Sequence, residues 1–245
     1  QDALSLNQIK TLLEQNQNGA GQYAILEGLH AVKHALRFNA KPYCLFTKDL
    51  NSLIKLSDKL CPDLSSALKD ATEIEDFDIL NDSKIRTGII GIFHKPGEKQ
   101  IQLKGKVVLL DDSRDLNNIG AVIRVCAAAG IEKLILTGDT NPWNSRAIRA
   151  AAGLQFAMNI TNLKEDEILE LKFPFISFDE RGEELNFKLK EQIPKDAILV
   201  FGSERDGISE LIKLKSELIV RLPKQKNVSS LNLATSVAAA LYSLK

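Results

Sequence analysis

The chain has 245 residues, of which 44% are hydrophobic, and its 32 basic residues balance 32 acidic ones. This length and composition are those of a globular protein with one large domain or two smaller ones, and they exclude a disordered or fibrous chain. A formal net charge of zero gives the whole protein no long-range attraction for nucleic acid. Any such binding must therefore come from a local patch of charge.

No stretch approaches the roughly 20 consecutive apolar residues that a membrane helix needs. The N-terminus has neither the apolar run of a signal peptide nor the composition of a transit peptide. Cys44, Cys61 and Cys126 form no C-x-x-C pair, which argues against a disulfide framework and a zinc site and suits a reducing compartment. We therefore expect a cytoplasmic protein without a membrane segment.

The first part of the chain alternates helical and strand patterns. The predicted helices cover residues 4–15, 28–38 and 50–60, and the predicted strands cover 23–26, 43–46 and 88–93. A polar stretch that begins at Gly97 and ends at Gly105 follows. We predict a small α/β domain over 1–96, a linker over 97–105 and a second domain over 106–245.

Two histidines of the second predicted helix lie four residues apart, a spacing that can seat a metal ion on one helix face. The residues between His30 and His34 include no glutamate, and His94 is the only other histidine in the sequence. No metal site is predicted.

The second part of the chain contains short, almost continuous apolar runs, each followed by a helical pattern. They cover residues 107–110, 134–136, 175–178, 198–201 and 219–222. Such runs are typical of parallel strands that are buried on both faces. We predict a parallel sheet covered by helices, with its ligand site built by loops at the carboxyl ends of the strands.

The first of these loops leads into the pattern N-x-G-x-x-x-R at residues 118–124. Asn117 or Asn118 is predicted to cap the helix. Arg124 lies almost opposite the apolar stripe, on the side of Gly120, where it can reach a phosphate with two donors. Alone, such an arginine is more often a solvated surface residue. A functional role for Arg124 is therefore predicted only in combination with the other two loops. The apolar stripe consists of Ile119, Val122, Ile123 and Cys126.

The second loop has the pattern G-S-E-x-x-G at residues 202–207. Gly202 permits close approach of a ligand to the backbone, Glu204 places a carboxylate at the strand end, and Gly207 allows a left-handed turn. A tight strand-to-helix turn with an incidental acid explains the same residues equally well.

The third loop follows Pro223, which cannot continue a strand ladder. Lys224 and Lys226 suit either a phosphate backbone or a solvated loop. The pattern S-S-L-N at 229–232 then opens the last helix, where free backbone N–H groups favour anions and polar ligand atoms. The alanines of that helix suit packing against a second subunit, although core packing accounts for them as well.

Together, and followed by a C-terminal helix, these three patterns resemble the signature motifs of the SpoU (TrmH-like) branch of the SPOUT RNA methyltransferases, over residues 107–242. The segments 25–32 and 87–91 resemble the ribosomal-protein-like substrate-binding domain that often precedes the catalytic domain in that family. The resemblance implies a trefoil knot in the C-terminal part of the sheet, a rare exception to unknotted topology. It also implies a homodimer through the C-terminal domain, S-adenosylmethionine as methyl donor and methylation of a ribose 2′-hydroxyl, with ribosomal RNA as the favoured substrate.

The resemblance also assigns residues to roles. The catalytic set is Arg124, Asn118, Glu204, Ser230 and Asn232. The cofactor set is Leu136, Thr137, Gly138, Gly202, Leu222 and Leu231. The RNA set is Arg124, Arg146, Arg149, Lys224 and Lys226. One departure is Ala151, because many relatives have a serine in that stretch and alanine supplies no hydroxyl.

Two alternatives stay open beside the ribosomal RNA enzyme. One is a tRNA 2′-O-methyltransferase, and the other is an RNA-binding or assembly factor that keeps the fold but transfers nothing. The simultaneous presence of Arg124, Glu204, Ser230 and Asn232 favours an enzyme, whereas the neutral net charge favours the binding factor. No G-x-G-x-x-G opens a predicted helix, which disfavours nucleotide-dependent oxidoreductases and Rossmann-type methyltransferases.

Overall fold

A computed structural model describes residues 4–80, 88–97 and 103–245 of the chain. It divides into two compact units, one made of residues 1–97 and 141–156 and the other of residues 98–140 and 157–245. Thr87 and residues 98–102 of the predicted linker lie outside the described residues.

The described helices and strands are as follows. The helices are Leu6–Asn16 (α1), Leu29–Arg37 (α2), Leu50–Leu60 (α3), Ser65–Leu68 (α4), Phe77–Leu80 (α5), Leu116–Ala129 (α6), Ser145–Ala151 (α7), Glu165–Glu170 (α8), Phe187–Gln192 (α9), Glu210–Lys215 (α10) and Leu233–Ser243 (α11). The strands are Tyr23–Glu27 (β1), Pro42–Thr47 (β2), Thr72–Glu73 (β3), Ile89–His94 (β4), Lys106–Asp111 (β5), Lys133–Leu136 (β6), Asn159–Asn162 (β7), Phe175–Glu184 (β8), Ala197–Gly202 (β9) and Ser216–Arg221 (β10).

The first unit is built on a four-stranded sheet with the order β1-β4-β2-β3. Both β1 and β2 run antiparallel to β4, while the short β3 runs parallel to β2. Alternate residues of β1 point to opposite faces, as the period of a strand requires. Ala24 and Leu26 join a core with α2 and α3, whereas Tyr23 and Ile25 join a second core with α1 and α5. This unit is therefore an α/β layer structure with helices on both faces of its sheet.

The second unit is built on a six-stranded sheet with the order β10-β8-β9-β5-β6-β7, and every pair in it is parallel. Residues 107–110 of the central strand β5 are fully buried on both faces. One face packs in a core with α8 and α10, and α6 packs against α11. The predicted parallel sheet covered by helices is confirmed, including strands at all five apolar runs.

One strand of this sheet, β7, does not coincide with an apolar run in the sequence. The edge strand β7 has the sequence Asn-Ile-Thr-Asn and pairs only with β6. Because an edge strand is covered less than a central one, it tolerates polar residues on both sides. Hydrophobic periodicity therefore gave no signal for it.

Segment 141–156, which lies between β6 and β7 in the sequence, groups with the first unit rather than with the second. Ile148 of this segment is buried in the core that contains α2 and α3. Gly153 approaches α2 so closely that an added Cβ would lie 2.6 Å from the carbonyl oxygen of Ala31. The sequence placed the whole segment in the domain 106–245, because packing between residues so far apart leaves no local pattern.

None of the helices in the described ranges combines the length and apolar character that crossing a bilayer requires. Within the same ranges, no group of three or more His, Cys, Asp and Glu side chains is placed to hold a metal ion.

Candidate active site

One side-chain amide joins the three loops at the carboxyl ends of β5, β9 and β10. The Asn118 amide nitrogen donates a hydrogen bond to the Glu204 carboxylate. The Asn118 amide oxygen accepts one from the Asn232 amide nitrogen, at 3.2 Å. Residues that are separated by 86 and 114 positions in the chain thus meet at a single point.

Helix α6 frees Asn118 for this role because another residue caps the helix. The carboxylate of Asp115 accepts hydrogen bonds from the backbone nitrogens of Asn117 and Asn118, at 2.7 and 3.0 Å. The prediction that Asn117 or Asn118 caps the helix is therefore wrong. Since Asp115 satisfies the free donors of the first turn, the Asn118 side chain is available to other loops.

The loop after β9 folds back on its own backbone. Ser203 and Gly207 exchange backbone hydrogen bonds of 3.2 and 3.1 Å, and Gly207 has the predicted positive φ of 69°. A Cβ on Gly202 would lie 2.1 Å from the carbonyl carbon of Gly207. The close approach predicted at Gly202 is thus made by the protein's own chain, and it places Glu204 at the exposed tip of the turn.

Asn232 caps α11, in agreement with the predicted polar start of the last helix. Its side-chain oxygen accepts hydrogen bonds from the backbone nitrogens of Ala234 and Thr235, at 3.0 and 3.5 Å. Its amide nitrogen is the one that donates to Asn118. Both ends of this amide are therefore engaged, and its rotamer is fixed.

A buried carboxylate that the sequence did not single out fixes the same edge of the sheet. Asp111 accepts hydrogen bonds from the Thr137 hydroxyl at 2.8 Å and from the Ser209 backbone nitrogen at 2.7 Å. These bonds tie the loops after β5, β6 and β9 together. In the sequence, Asp111 could have been recognised as an aspartate directly after four apolar strand residues. An unpaired charge at such a position is costly to bury, so it needs hydrogen-bond partners.

A cavity of about 350 Å³ lies beside the Asn118 contact. Three members of the predicted cofactor set line it, namely Gly202, Leu222 and Leu231. The cavity is also lined by two stacked aromatic rings, Phe178 and Phe201, whose centroids are 4.8 Å apart. Its polar lining includes Asp179, Glu180, Glu204, Lys224 and Ser230. Apolar walls with a few converging polar groups are typical of small-molecule sites.

The other three members of the cofactor set do not line this cavity. Leu136 is buried, and the Thr137 hydroxyl is engaged by Asp111 and by the backbone nitrogen of Asp112. Gly138 has a φ of 86° and packs so closely on Asp112 that a Cβ would lie 2.6 Å from its Oδ1 atom. These three residues instead shape the end of β6.

Asp179 is a partly shielded acid at the cavity. Burial acts to raise the pKa of its carboxyl, but hydrogen bonds from Arg181 and the charges of Lys213 and Arg181 outweigh that effect and hold the pKa below its usual value. The carboxyl is therefore ionised at neutral pH.

Arg124 is exposed on α6, six residues beyond Asn118, and the predicted apolar stripe of the helix is buried as expected. Gly120, which was predicted to clear space beside Arg124, is itself buried. Within the described part of the chain, the Arg124 guanidinium makes no hydrogen bond or ion pair, and Arg124 does not line the cavity. It remains accessible to an external anion.

The other predicted RNA contacts have different surroundings. Lys224 forms an ion pair with Glu180 and donates a hydrogen bond to the Ser229 carbonyl oxygen at 2.7 Å, while Lys226 is exposed. Arg146 and Arg149 both belong to segment 141–156 of the first unit. The structure thus distributes the five residues of the RNA set over both units.

The model of the SpoU rRNA Methylase family matches residues 105–242, more than half of the chain. The chain belongs to this family. Over 227 residues it is 26% identical to the 23S rRNA (guanosine(2553)-2′-O)-methyltransferase RlmP of Bacillus subtilis strain 168. The aligned part covers 90% of this chain and 88% of RlmP. Membership of the SpoU family makes the chain an RNA methyltransferase.

Solved structures agree with the SpoU assignment at the level of the fold. A putative RNA methyltransferase of the TrmH family from Porphyromonas gingivalis superimposes with a TM-score of 0.76 at 22% identity, covering 99% of this chain and 98% of that one. The SpoU methyltransferase AviRb from Streptomyces viridochromogenes, in complex with the cofactor AdoMet, gives 0.78 at 18% identity, covering 97% and 95%.

Proposed function

We propose that this SpoU family member transfers a methyl group from S-adenosylmethionine to a ribose 2′-hydroxyl of ribosomal RNA. The observation that carries the proposal is the contact of Asn118 with Glu204 and Asn232, which gathers all three motifs beside one cavity. The likeness to RlmP, named as a 23S rRNA 2′-O-methyltransferase, supports both the reaction and the substrate class.

The cavity fits the proposed donor. Its volume of about 350 Å³ falls in the range of small-molecule sites. Leu222 and Leu231 offer apolar contacts to the donor. The Asp179 and Glu180 carboxylates of the lining are partly balanced by the charges of Arg181, Lys213 and Lys224. When bound, S-adenosylmethionine supplies an electrophilic methyl group. AviRb, which has the same fold, is described with this cofactor bound.

The side chains around the cavity position the RNA and compensate charge. Arginine stays protonated in proteins, so Arg124 is not a general base. We assign it to holding a substrate phosphate with its planar fork and to stabilising the alkoxide that develops at the 2′-oxygen, with the hydroxyl proton passing to that phosphate. Ser230, which lines the cavity, positions the ribose. Asn118 holds Glu204 and Asn232 in place, and positioning of this kind supplies much of the rate in transfer reactions.

We propose that the first unit, which adds segment 141–156 to the predicted domain 1–96, selects the RNA. The second unit, which holds the rest of the predicted domain 106–245, then carries the transfer domain with a trefoil knot. We also propose a homodimer through the C-terminal part. Three apolar side chains there are exposed, Val228 by 48%, Leu231 by 36% and Tyr242 by 53%. Exposed apolar side chains of this size are available for burial against a second subunit.

The dimer is tested by light scattering on two matched variants. Tyr242→Asp is expected to halve the molecular mass, because a buried unpaired charge opposes association. Phe187→Asp on α9 is the control, since Phe187 is 75% exposed but lies outside the proposed surface. A wild-type protein that stays monomeric at micromolar concentration contradicts the dimer.

The reaction is tested with labelled S-adenosylmethionine and unmodified transcripts of 16S rRNA, 23S rRNA and tRNA. Label is expected in a ribosomal transcript, and the modified nucleotide should resist alkaline cleavage on its 3′ side. Label only in tRNA supports the tRNA enzyme instead. RNA binding without label in any transcript supports the binding or assembly factor. In that case, calorimetry with the demethylated form of S-adenosylmethionine shows whether the protein has lost the donor site or only the transfer reaction.

A further inference from the structure

Segment 141–156 is attached to the first unit along its whole length. The backbone nitrogen of Ser145 donates to the Gln17 carbonyl oxygen at 2.9 Å. At the other end of α7, the His34 Nδ1 atom lies 2.7 Å from the Ala152 carbonyl oxygen. Ile148 is buried between these two points in the core of the unit. Packing of this kind fixes both the position and the rotation of α7 on the first unit.

Arg149 adds an ion pair to this attachment. Its Nη2 atom lies 3.0 Å from the Oε2 atom of Glu27, the last residue of β1. The Glu27 side chain is only 13% exposed, whereas that of Arg149 is 39% exposed. A carboxylate shielded to this degree needs a cation beside it. An RNA phosphate at the same guanidinium would be repelled by Glu27, so Arg149 is poorly placed to bind RNA.

Arg146 lies three residues before Arg149, which puts both side chains on the same side of α7. Both arginines are exposed, but unlike that of Arg149 the Arg146 guanidinium has no hydrogen bond or ion pair within the described residues. A free, exposed guanidinium on a helix whose orientation is fixed is well suited to bidentate contact with a phosphate.

We propose that Arg149 is a positioning residue, which holds α7 on the first unit through Glu27, and that Arg146 is the residue of this helix that contacts the RNA phosphate backbone. The inference rests on the proposed function, and it separates two arginines that the sequence placed in one RNA-binding set. The specificity of the enzyme would then depend on Glu27, a residue that need not touch the RNA.

The first test measures amide hydrogen exchange in the protein alone. Arg149→Ala and Glu27→Gln are each expected to speed exchange over residues 145–151 by about threefold to tenfold, the effect of losing a partly shielded ion pair. The double variant Glu27→Arg with Arg149→Glu should restore protection. Arg37→Ala is the matched control, because it breaks an ion pair of the same unit, Arg37–Asp63 at 2.8 Å, in which α7 takes no part.

The second test measures binding to an unmodified 23S rRNA transcript as a function of salt. Each phosphate contact contributes roughly 0.7 to 0.9 to the slope of log K against log salt. Arg146→Ala should lower the slope by about that amount, whereas Arg149→Ala should leave the slope unchanged and raise the KM for methylation. The charge-swapped variant should bring that KM back towards the wild-type value.

A drop in salt slope with Arg149→Ala, or an unchanged slope with Arg146→Ala, overturns the assignment. So does a charge-swapped variant that fails to regain protection over residues 145–151. If the wild-type protein methylates no RNA, the proposed function fails, yet the exchange and salt measurements still decide the roles of the two arginines.

Discussion

The carboxyl edge of the six-stranded sheet and segment 141–156 both hold predicted functional residues, but they are held in different ways. At the sheet edge, polar side chains bind one another across loops, as Asn118 does with Glu204 and Asn232. In the segment, a backbone hydrogen bond from Ser145 to Gln17, the His34 contact with Ala152 and the buried Ile148 provide the attachment, with the Arg149–Glu27 ion pair added. Under the proposed function, the difference means that the edge carries the chemistry, whereas the segment presents a surface to the RNA.

The largest expected effect separates these two tasks. Arg124→Ala should lower kcat by about 10² to 10³, because it removes a charge contact made in the transition state, and it should leave binding of the donor unchanged. Arg146→Ala in the segment should act mainly on RNA affinity. Single-turnover kinetics measures the rate of methyl transfer in both variants, and calorimetry measures their binding of donor and RNA. Near-normal kcat in Arg124→Ala would refute the role of this residue at the edge.

The next effect tests the Asn118 contact. Asn118→Ala should lower kcat by roughly 10-fold to 100-fold, since a hydrogen bond to a charged group is worth about 1.5–3 kcal/mol and two loops lose their common partner. Asn117→Ala is the matched control, because Asn117 is exposed on the same helix turn and its side chain has no hydrogen-bond partner among the described residues. Equal activity of the two variants would show that the meeting point of the loops is incidental.

The same contrast explains how far the sequence predicts the molecule. Residues 107–110 and the other apolar runs predicted the parallel sheet because burial on both faces leaves a continuous hydrophobic pattern. The site loops were predictable because glycine, amide and acid positions recur at fixed spacing around strand ends. The polar edge strand β7 and the ion pair of Lys224 with Glu180 were not predictable, because both depend on contacts between residues that are distant in the sequence.

Helix caps and segment attachment mark the limit of local patterns. Three polar residues, Asp115, Asn117 and Asn118, are all good caps, and only the tertiary structure selects Asp115. The first unit takes segment 141–156 through contacts such as Ile148 in its core, which no spacing within the segment reveals. The Asp111 carboxylate was visible in sequence as a charge after an apolar run, yet its partners Thr137 and Ser209 were not.

A stability measurement tests whether the edge is a single connected network. Asp111→Asn should lower the free energy of unfolding by about 3 kcal/mol, because the amide turns a donor towards one of the two groups that now donate to the carboxylate. Asp115→Asn is the control, since asparagine caps a helix as well as aspartate does. Urea unfolding of both variants gives the difference. A loss of similar size at both positions would mean that the edge has no special connection through Asp111.

The smallest effect compares a carboxylate of the sheet edge with one of the first unit. In Asp63 the Arg37 hydrogen bond holds the pKa below its usual value, and in Asp179 the partners Arg181 and Lys213 do so against the opposing effect of burial. Since both pKa values are lowered in the folded state, each carboxylate stabilises the fold above the unfolded value of about 3.9 and loses that contribution as pH falls through the folded value. The free energy of unfolding of Asp63→Asn and of Asp179→Asn, each compared with wild type between about pH 2 and 7, should show differences that vanish at the acid end.

Added salt separates the two carboxylates. Because Asp63 is half exposed and the Asp179 side chain is only 9% exposed, salt should reduce the stability difference of Asp63→Asn and leave that of Asp179→Asn unchanged. Equal salt sensitivity of the two differences would show that Asp179 is no more shielded than an ordinary surface carboxylate.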